Sequence, residues 1–283
     1  MDQKIINLFD RYTHGGMSRR DFLDRLTLMA GSAAAATALL PVLENNYAQA
    51  AIAPEDDPRL ALSEGEIAPG IKGLLAVPKD AQGKLPAVLV IHENRGLNPH
   101  IRDVTRRMAL EGFVAFGADY LSPLGGTPAD EEKAREMIAT LKPEDQAAYS
   151  QAALKALIAH PKGNGKAGAM GFCWGGGAVN VLAVADPSLA AGVAYYGRQP
   201  AAADVPKIAA PLMLHYAGLD ERINAGIADY EAALKAAGKA YELHMYDGVN
   251  HAFNNDTNAA RYNKAAADLA WDRTVAFLRK WVN

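Results

Sequence analysis

A single cysteine, Cys173, stands in the string Gly171-Phe172-Cys173-Trp174-Gly175-Gly176-Gly177. A short apolar run, Lys166 to Met170, precedes it, and an Ala/Val-rich run, Ala178 to Ala185, follows. Strand, tight turn and helix in that order, with glycine two positions before and after the central residue, is the thiol version of the G-x-S-x-G nucleophile elbow. The turn strains the backbone at its centre, and the glycines remove Cβ atoms that would clash there. A sulfur projected at a helix N-terminus meets free N–H groups and the positive end of the dipole, both of which favour a thiolate. Such a nucleophile needs a base and a carboxylate to orient that base. With this elbow the chain order is nucleophile, then acid, then histidine. Asp220 follows the apolar run Leu212 to Tyr216, and His251 lies in a Gly/Asn loop after Tyr241 to Tyr246. Cys173, Asp220 and His251 are therefore the candidate catalytic triad. The imidazole takes or shares the thiol proton and the carboxylate holds its tautomer. The competing readings are a buried core cysteine, a helix N-cap at Asp220 and a plain loop histidine.

The remaining histidines carry less. His92, His215 and His244 lie inside apolar strands and read as core or face positions; His14, His100 and His160 fall outside the candidate loops. No two histidines have the spacing of a metal-binding helix or knuckle, so neither a metal nor a cofactor is expected.

The elements that must position these residues alternate. Strands are predicted over Gly70–Pro78, Pro86–Glu93, Phe113–Tyr120, the elbow run, Ala190–Tyr196, Pro211–Gly218 and Tyr241–Tyr246. Helices are predicted at about 99–111, 130–141, 145–160, 223–237 and 259–281, the first from apolar Ile101, Val104 and Met108 at helical spacing. Pro86 to Ile91 is almost continuously apolar, as in a parallel strand covered on both faces. The fold class is α/β, a doubly wound and mostly parallel sheet with helices on both faces. Active sites of such sheets lie beyond the C-terminal strand ends, where all three triad candidates fall.

Of 283 residues, half are hydrophobic, which suffices for one large domain. A net charge of −3 without a basic block gives no reason to expect nucleic acid. Ser18-Arg19-Arg20-Asp21-Phe22-Leu23 carries a twin arginine, a weakly hydrophobic run spans Leu26 to Leu43, and Ala48-Gln49-Ala50 offers a small-residue cleavage site. That order resembles a Tat-type signal. The expectation is residues 1–50 as a signal peptide handled by the Tat export machinery, 51–69 as an irregular lead-in and 70–283 as the domain. The mature protein would be periplasmic or otherwise exported, touching a membrane only through the signal before cleavage. The alternatives are an uncleaved anchor or a cytoplasmic helix.

The combination resembles the dienelactone hydrolase (carboxymethylenebutenolidase) family of the α/β-hydrolase fold. The matching strings are Val90-Ile91-His92-Glu93-Asn94-Arg95-Gly96, Gly112-Phe113 through Asp119-Tyr120, Met170 through Gly176, Tyr195-Tyr196-Gly197, Gly218-Leu219-Asp220 and Asn250-His251-Ala252-Phe253. The resemblance implies that Cys173 attacks an ester or lactone carbonyl and forms a thioester. It implies that Glu93 hydrogen-bonds the resting thiol, the alternative being a carboxylate paired with Arg95 or Arg102. It also implies an oxyanion hole from the backbone N–H groups of Trp174 and Asn94. The family's substrate-clamping arginine four residues after the histidine is here Asn255, and an amide does not replace a bidentate guanidinium. Arg198 and Arg222 are the remaining candidates for binding a substrate carboxylate. The reading is a cysteine hydrolase of small esters or lactones. A non-catalytic ligand-binding protein on the same fold and a cysteine peptidase stay open.

Overall fold

The computed structural model describes residues 1–49 and 52–283. Three N-terminal helices come first: α1 (Gln3–Thr13), α2 (Arg19–Ala30) and α3 (Ala33–Leu43). The main body then runs β1 (Leu60–Ala68), β2 (Ile71–Pro78), β3 (Leu85–Ile91), α4 (Pro99–Leu110), β4 (Val114–Asp119), α5 (Glu131–Thr140) and α6 (Pro143–Ile158). It continues β5 (Gly163–Phe172), α7 (Trp174–Ala185), β6 (Gly192–Tyr195), β7 (Leu212–Ala217), α8 (Glu221–Asn224), α9 (Ile227–Ala236), β8 (Tyr241–Tyr246) and α10 (Lys264–Val282). The eight strands form one sheet in the order β1-β2-β4-β3-β5-β6-β7-β8. β2 pairs antiparallel with both β1 and β4; from β4 through β3 to β8 every neighbour is parallel. This is the α/β-hydrolase arrangement, and it matches the sequence expectation.

Both faces of the sheet are covered. On one, Ile101, Val104 and Met108 of α4 and Val275, Leu278 and Val282 of α10 pack against Val88, Val90 and Met170. On the other, Leu154 and Leu157 of α6 and Val179, Leu182 and Ala183 of α7 pack against Leu89, Ile91 and Ala169. Alternate residues of β3 thus point into different cores, which explains why the strand reads as a continuous apolar run.

The lead-in expected to be irregular over 51–69 instead contains β1. Its residues Leu62 to Glu66 are at least partly exposed, so an edge strand paired on one side showed no apolar alternation. The helix expected over 223–237 is split between α8 and α9, and the last begins at Lys264 rather than near 259, after the turns of Asn254–Asn263.

The N-terminal helices are capped by Asp2, Ser18 and Ser32, whose side chains accept from Lys4, Asp21 and Ala35 backbone N–H groups. Ile5, Leu8, Phe9, Tyr12, Phe22, Leu26, Ala36 and Leu43 form their own core, with Tyr12 stacked on Phe22 at 4.5 Å. The first of the twin arginines, Arg19, pairs with Glu132 of the body at 3.3 Å. Asn94 Nδ2 donates to the Thr13 carbonyl at 2.7 Å, and Asn258 Nδ2 to that of Leu43 at 2.6 Å. The cleavage point expected after Ala50 lies outside the described residues.

Close backbone contact at the elbow makes a stability prediction. A Cβ on Gly175 would fall 2.4 Å from the Ile91 carbonyl oxygen, whereas one on Gly177 meets nothing nearer than 3.5 Å. Gly175→Ala is expected to lower stability by about 3 kcal/mol and the melting temperature by roughly 10 °C. Gly177→Ala, two positions further into α7, should change it little. Calorimetry on the two variants reads the difference.

Candidate active site

Cys173 holds φ 56° and ψ −112° between β5 and α7, donating its N–H to the Tyr195 carbonyl at 3.0 Å. Among the described residues the other non-glycine positions with positive φ are Tyr196 and Ala252. Tyr196 packs its ring 4.8 Å from that of His251, and Ala252 follows His251 directly. All the non-glycine backbone strain of this kind in the described chain is therefore gathered around one sulfur and one imidazole. That is where strain commonly serves a function.

Asp220 serves two of its candidate roles together. Its Oδ1 caps α8 by accepting from Ile223 N at 3.2 Å, while its Oδ2 accepts from His251 Nδ1 at 2.5 Å. The other ring nitrogen, His251 Nε2, is buried and has no hydrogen-bond partner. A ring nitrogen of His251 lies within 4.8 Å of Cys173 Sγ. Sulfur, imidazole and carboxylate thus converge from the ends of β5, β8 and β7, in the sequence order the elbow demands.

Glu93 is 2 % exposed and lines the same small cleft as Cys173, Asn94 and Arg95. The hydrogen bond expected between Glu93 and the thiol is not made. Glu93 Oε2 accepts instead from Asn255 Nδ2 at 2.9 Å, and the sulfur's partner is His14 Nε2 at 3.2 Å. Nor is Glu93 paired with the two arginines weighed for it, since Arg95 pairs with Glu131 at 2.7 Å and Arg102 with Glu64. Asn255, at the position of the family's clamp arginine, is turned inward. Its carbonyl accepts from Thr257 Oγ1 at 2.6 Å, so the amide orders the Glu93 carboxylate rather than facing a substrate.

Trp174 N is the first backbone donor of α7 and has no acceptor within the helix by construction. Its indole stacks on His92 at 5.5 Å. Asn94, Trp174, Arg198 and Arg222 line, with Cys173 and His251, a cavity of about 630 Å³. Arg222 also lies 3.7 Å from Asp10. His92 and His215 are satisfied core residues, as expected. His92 is bonded to the Glu93 carbonyl and the Tyr120 N–H, and His215 to Tyr246 and Thr274.

The residue that sequence reasoning missed is His14, the C-cap of α1, together with Asp10 one turn before it. Its Nδ1 is bonded to the Asp10 carbonyl at 2.7 Å and stands 3.2 Å from Asp10 Oδ1. No local signal marked it, because the segment read as a leader to be discarded.

The electrostatics follow from this crowding. Burial pushes the Cys173 thiol up, but His14 and then His251 outweigh it and bring it down to about 5. Burial pushes His251 down, and Asp220, Cys173 and Asp10 raise it to about 10. His14 is raised in the same way, against burial, by Cys173 and Asp10. Asp220 is lowered, against its burial, by His251. These directions favour a thiolate beside two protonated imidazoles, whose rings meet edge to face at 4.7 Å. The nitrogen, sulfur and nitrogen atoms, all within 4.8 Å of one another, are types that a zinc-like ion accepts. The expectation of no metal rested on local histidine spacing, which does not bear on donors from three distant segments.

Residues 71–282 match the family model described as the dienelactone hydrolase family, and residues 1–31 match one described as YqhI-like. A protein of Saccharolobus solfataricus provisionally named carboxymethylenebutenolidase is 32% identical over 246 residues, covering 74% of this chain and 94% of the relative. A protein of Escherichia coli K12 with the same provisional name is 31% identical over 221 residues, covering 73% and 81%. A Klebsiella pneumoniae crystal structure, provisionally titled a dienelactone hydrolase, superposes with a TM-score of 0.68 at 27% identity, covering 78% of this chain and all of that one. The chain belongs to the dienelactone hydrolase family and is a hydrolase of the α/β-hydrolase fold.

Proposed function

We propose that this protein hydrolyses carboxylic esters or lactones through a thioester on Cys173. The observation that carries the reading is the line Asp220 Oδ2, His251 Nδ1 and a thiol held down to about 5. The thiolate lone pair forms the C–S bond, and the carbonyl π pair moves onto oxygen. The backbone N–H groups of Trp174 and Asn94 stabilise that oxyanion. Collapse restores the carbonyl and breaks the C–O bond, and the leaving alkoxide takes the proton of the His251 imidazolium. His251, now neutral, takes a proton from water, whose oxygen attacks the thioester and releases the acid and the thiolate. From a lactone the alcohol stays tethered and the product is a hydroxy acid. The relatives' names support the lactone arm. The test is a panel of activated esters and lactones against the wild type and Cys173→Ala.

The first 50 residues carry a second question. The twin arginine favours Tat export with removal after Ala50, whereas the contact of His14 with Cys173 favours a working enzyme that keeps its N-terminus. Among the described residues no single helix is long and apolar enough to cross a membrane; α2 and α3 together pass that test but are bent by 112°. We favour retention. The intact mass of the protein purified from its own cells should include residues 1–49, and a chain beginning near Ala51 would establish cleavage.

A further inference from the structure

We propose that His14, braced by Asp10, is a second catalytic imidazole on Cys173, so that the N-terminal helices supply part of the active site. The inference rests on the reading of Cys173 as the nucleophile and extends it to a residue outside the hydrolase body.

Four observations carry it. His14 Nε2 is 3.2 Å from the sulfur, a hydrogen-bond contact to the reacting atom. Its Nδ1 is occupied by Asp10, through the carbonyl at 2.7 Å and the carboxylate at 3.2 Å, which leaves Nε2 aimed at sulfur. As Asp220 does for His251, Asp10 occupies the Nδ1 side of its ring, here by its backbone carbonyl with the carboxylate close by, and the two rings meet edge to face at 4.7 Å. His14 caps the C-terminus of an eleven-residue helix, whose dipole favours a cation there. Finally, the 630 Å³ cavity remains beside His14 and Cys173, so the segment forms a wall of the site and leaves room for a substrate.

The charged groups facing this pair are named elements of the site. Asp10 is flanked by Arg261 at 3.6 Å and Arg222 at 3.7 Å. Glu93, Arg95 and Arg261 line the cleft below the sulfur, and His251 with Asp220 closes the other side. In the reaction His14 keeps its proton throughout. It stabilises the thiolate before attack and again when the thiolate leaves the acyl carbon, while His251 moves protons to the alkoxide and from water. No electron pair or atom beyond those of ester hydrolysis is required.

The test uses the full chain with p-nitrophenyl acetate for turnover and iodoacetamide alkylation against pH for the thiol, with a chelator present throughout. His14→Gln, which fills much of the same volume, is expected to lower kcat/KM about 10- to 100-fold. It should also move the alkylation midpoint upward by at least about one pH unit. Asp10→Asn should move both in the same direction by less, and added imidazole should partly rescue His14→Ala. Wild-type turnover or faster, with an unmoved alkylation midpoint, in a folded His14→Gln variant would overturn the proposal and leave the segment as a cover. Retained turnover in Cys173→Ala would instead sink the reading of Cys173 as the nucleophile, so the two failures are distinguishable.

Discussion

Cys173→Ala is expected to remove ester turnover by at least about 10⁴-fold, or roughly 5.5 kcal/mol of transition-state stabilisation, while leaving the protein folded. The size follows from the role. No other cysteine exists in the chain to take over the attack. The fold should survive because alanine keeps the Cβ that the elbow already tolerates at φ 56° and only one sulfur atom is removed, from a residue that borders the substrate cavity. The electrostatic consequence is separate and measurable. With the thiolate gone, His14 and His251 each lose a neighbour that raises their pKa, and both should titrate lower by NMR. Turnover persisting in this variant would mean that the chemistry lies elsewhere.

Asp220→Asn is expected to cost about 10³- to 10⁴-fold in kcat/KM, the scale seen when a triad carboxylate is lost and the imidazole settles in the wrong tautomer. It also has a pH signature. The folded pKa of His251 is raised from 6.5 to about 10, so the stability its charge contributes is full below 6.5 and is lost as pH rises through about 10. The folded pKa of Cys173 is depressed from 9.0 to about 5, so its contribution is present above 9.0 and is lost as pH falls through about 5. The thiolate–imidazolium pair therefore exists between about 5 and about 10, and wild-type activity should plateau between those limits. Removing the Asp220 charge should bring the alkaline limb down toward neutrality and leave the acid limb near its place. Asparagine is as good an N-cap as aspartate, so α8 should remain and melting should change little. A variant that melts early without moving the alkaline limb would show that Asp220 serves the helix alone.

The catalytic machinery of the hydrolase body was legible because each part has a local mark. Glycines at fixed offsets announce the elbow, and an acid and a histidine follow apolar strands in a set order. β3 reads as buried because both of its faces are. Asp220 was harder, since an N-cap and a triad acid look the same in one dimension; in the structure one oxygen caps α8 at Ile223 N while the other accepts from the His251 imidazole. β1 was missed because an exposed edge strand has little apolar pattern. Glu93 was placed correctly in the cleft, but its partner was not, because Asn255 sits 162 residues away and its side chain turns inward.

The residues alone thus determined an α/β sheet and the elbow, and proposed an order of nucleophile, acid and base, all of which arise from short-range backbone and periodicity constraints. Only the tertiary structure decided what stands over the sulfur. His14 and Cys173 are 159 positions apart, and nothing local ties a histidine at a helix end to a thiol on a distant turn. Phe22 and Leu26, read as part of a leader, are the same side chains that bury themselves in the N-terminal core with Phe9 and Tyr12 of α1, the helix that ends at His14. An apolar run reports that it must be covered; what covers it is settled by packing across the whole chain.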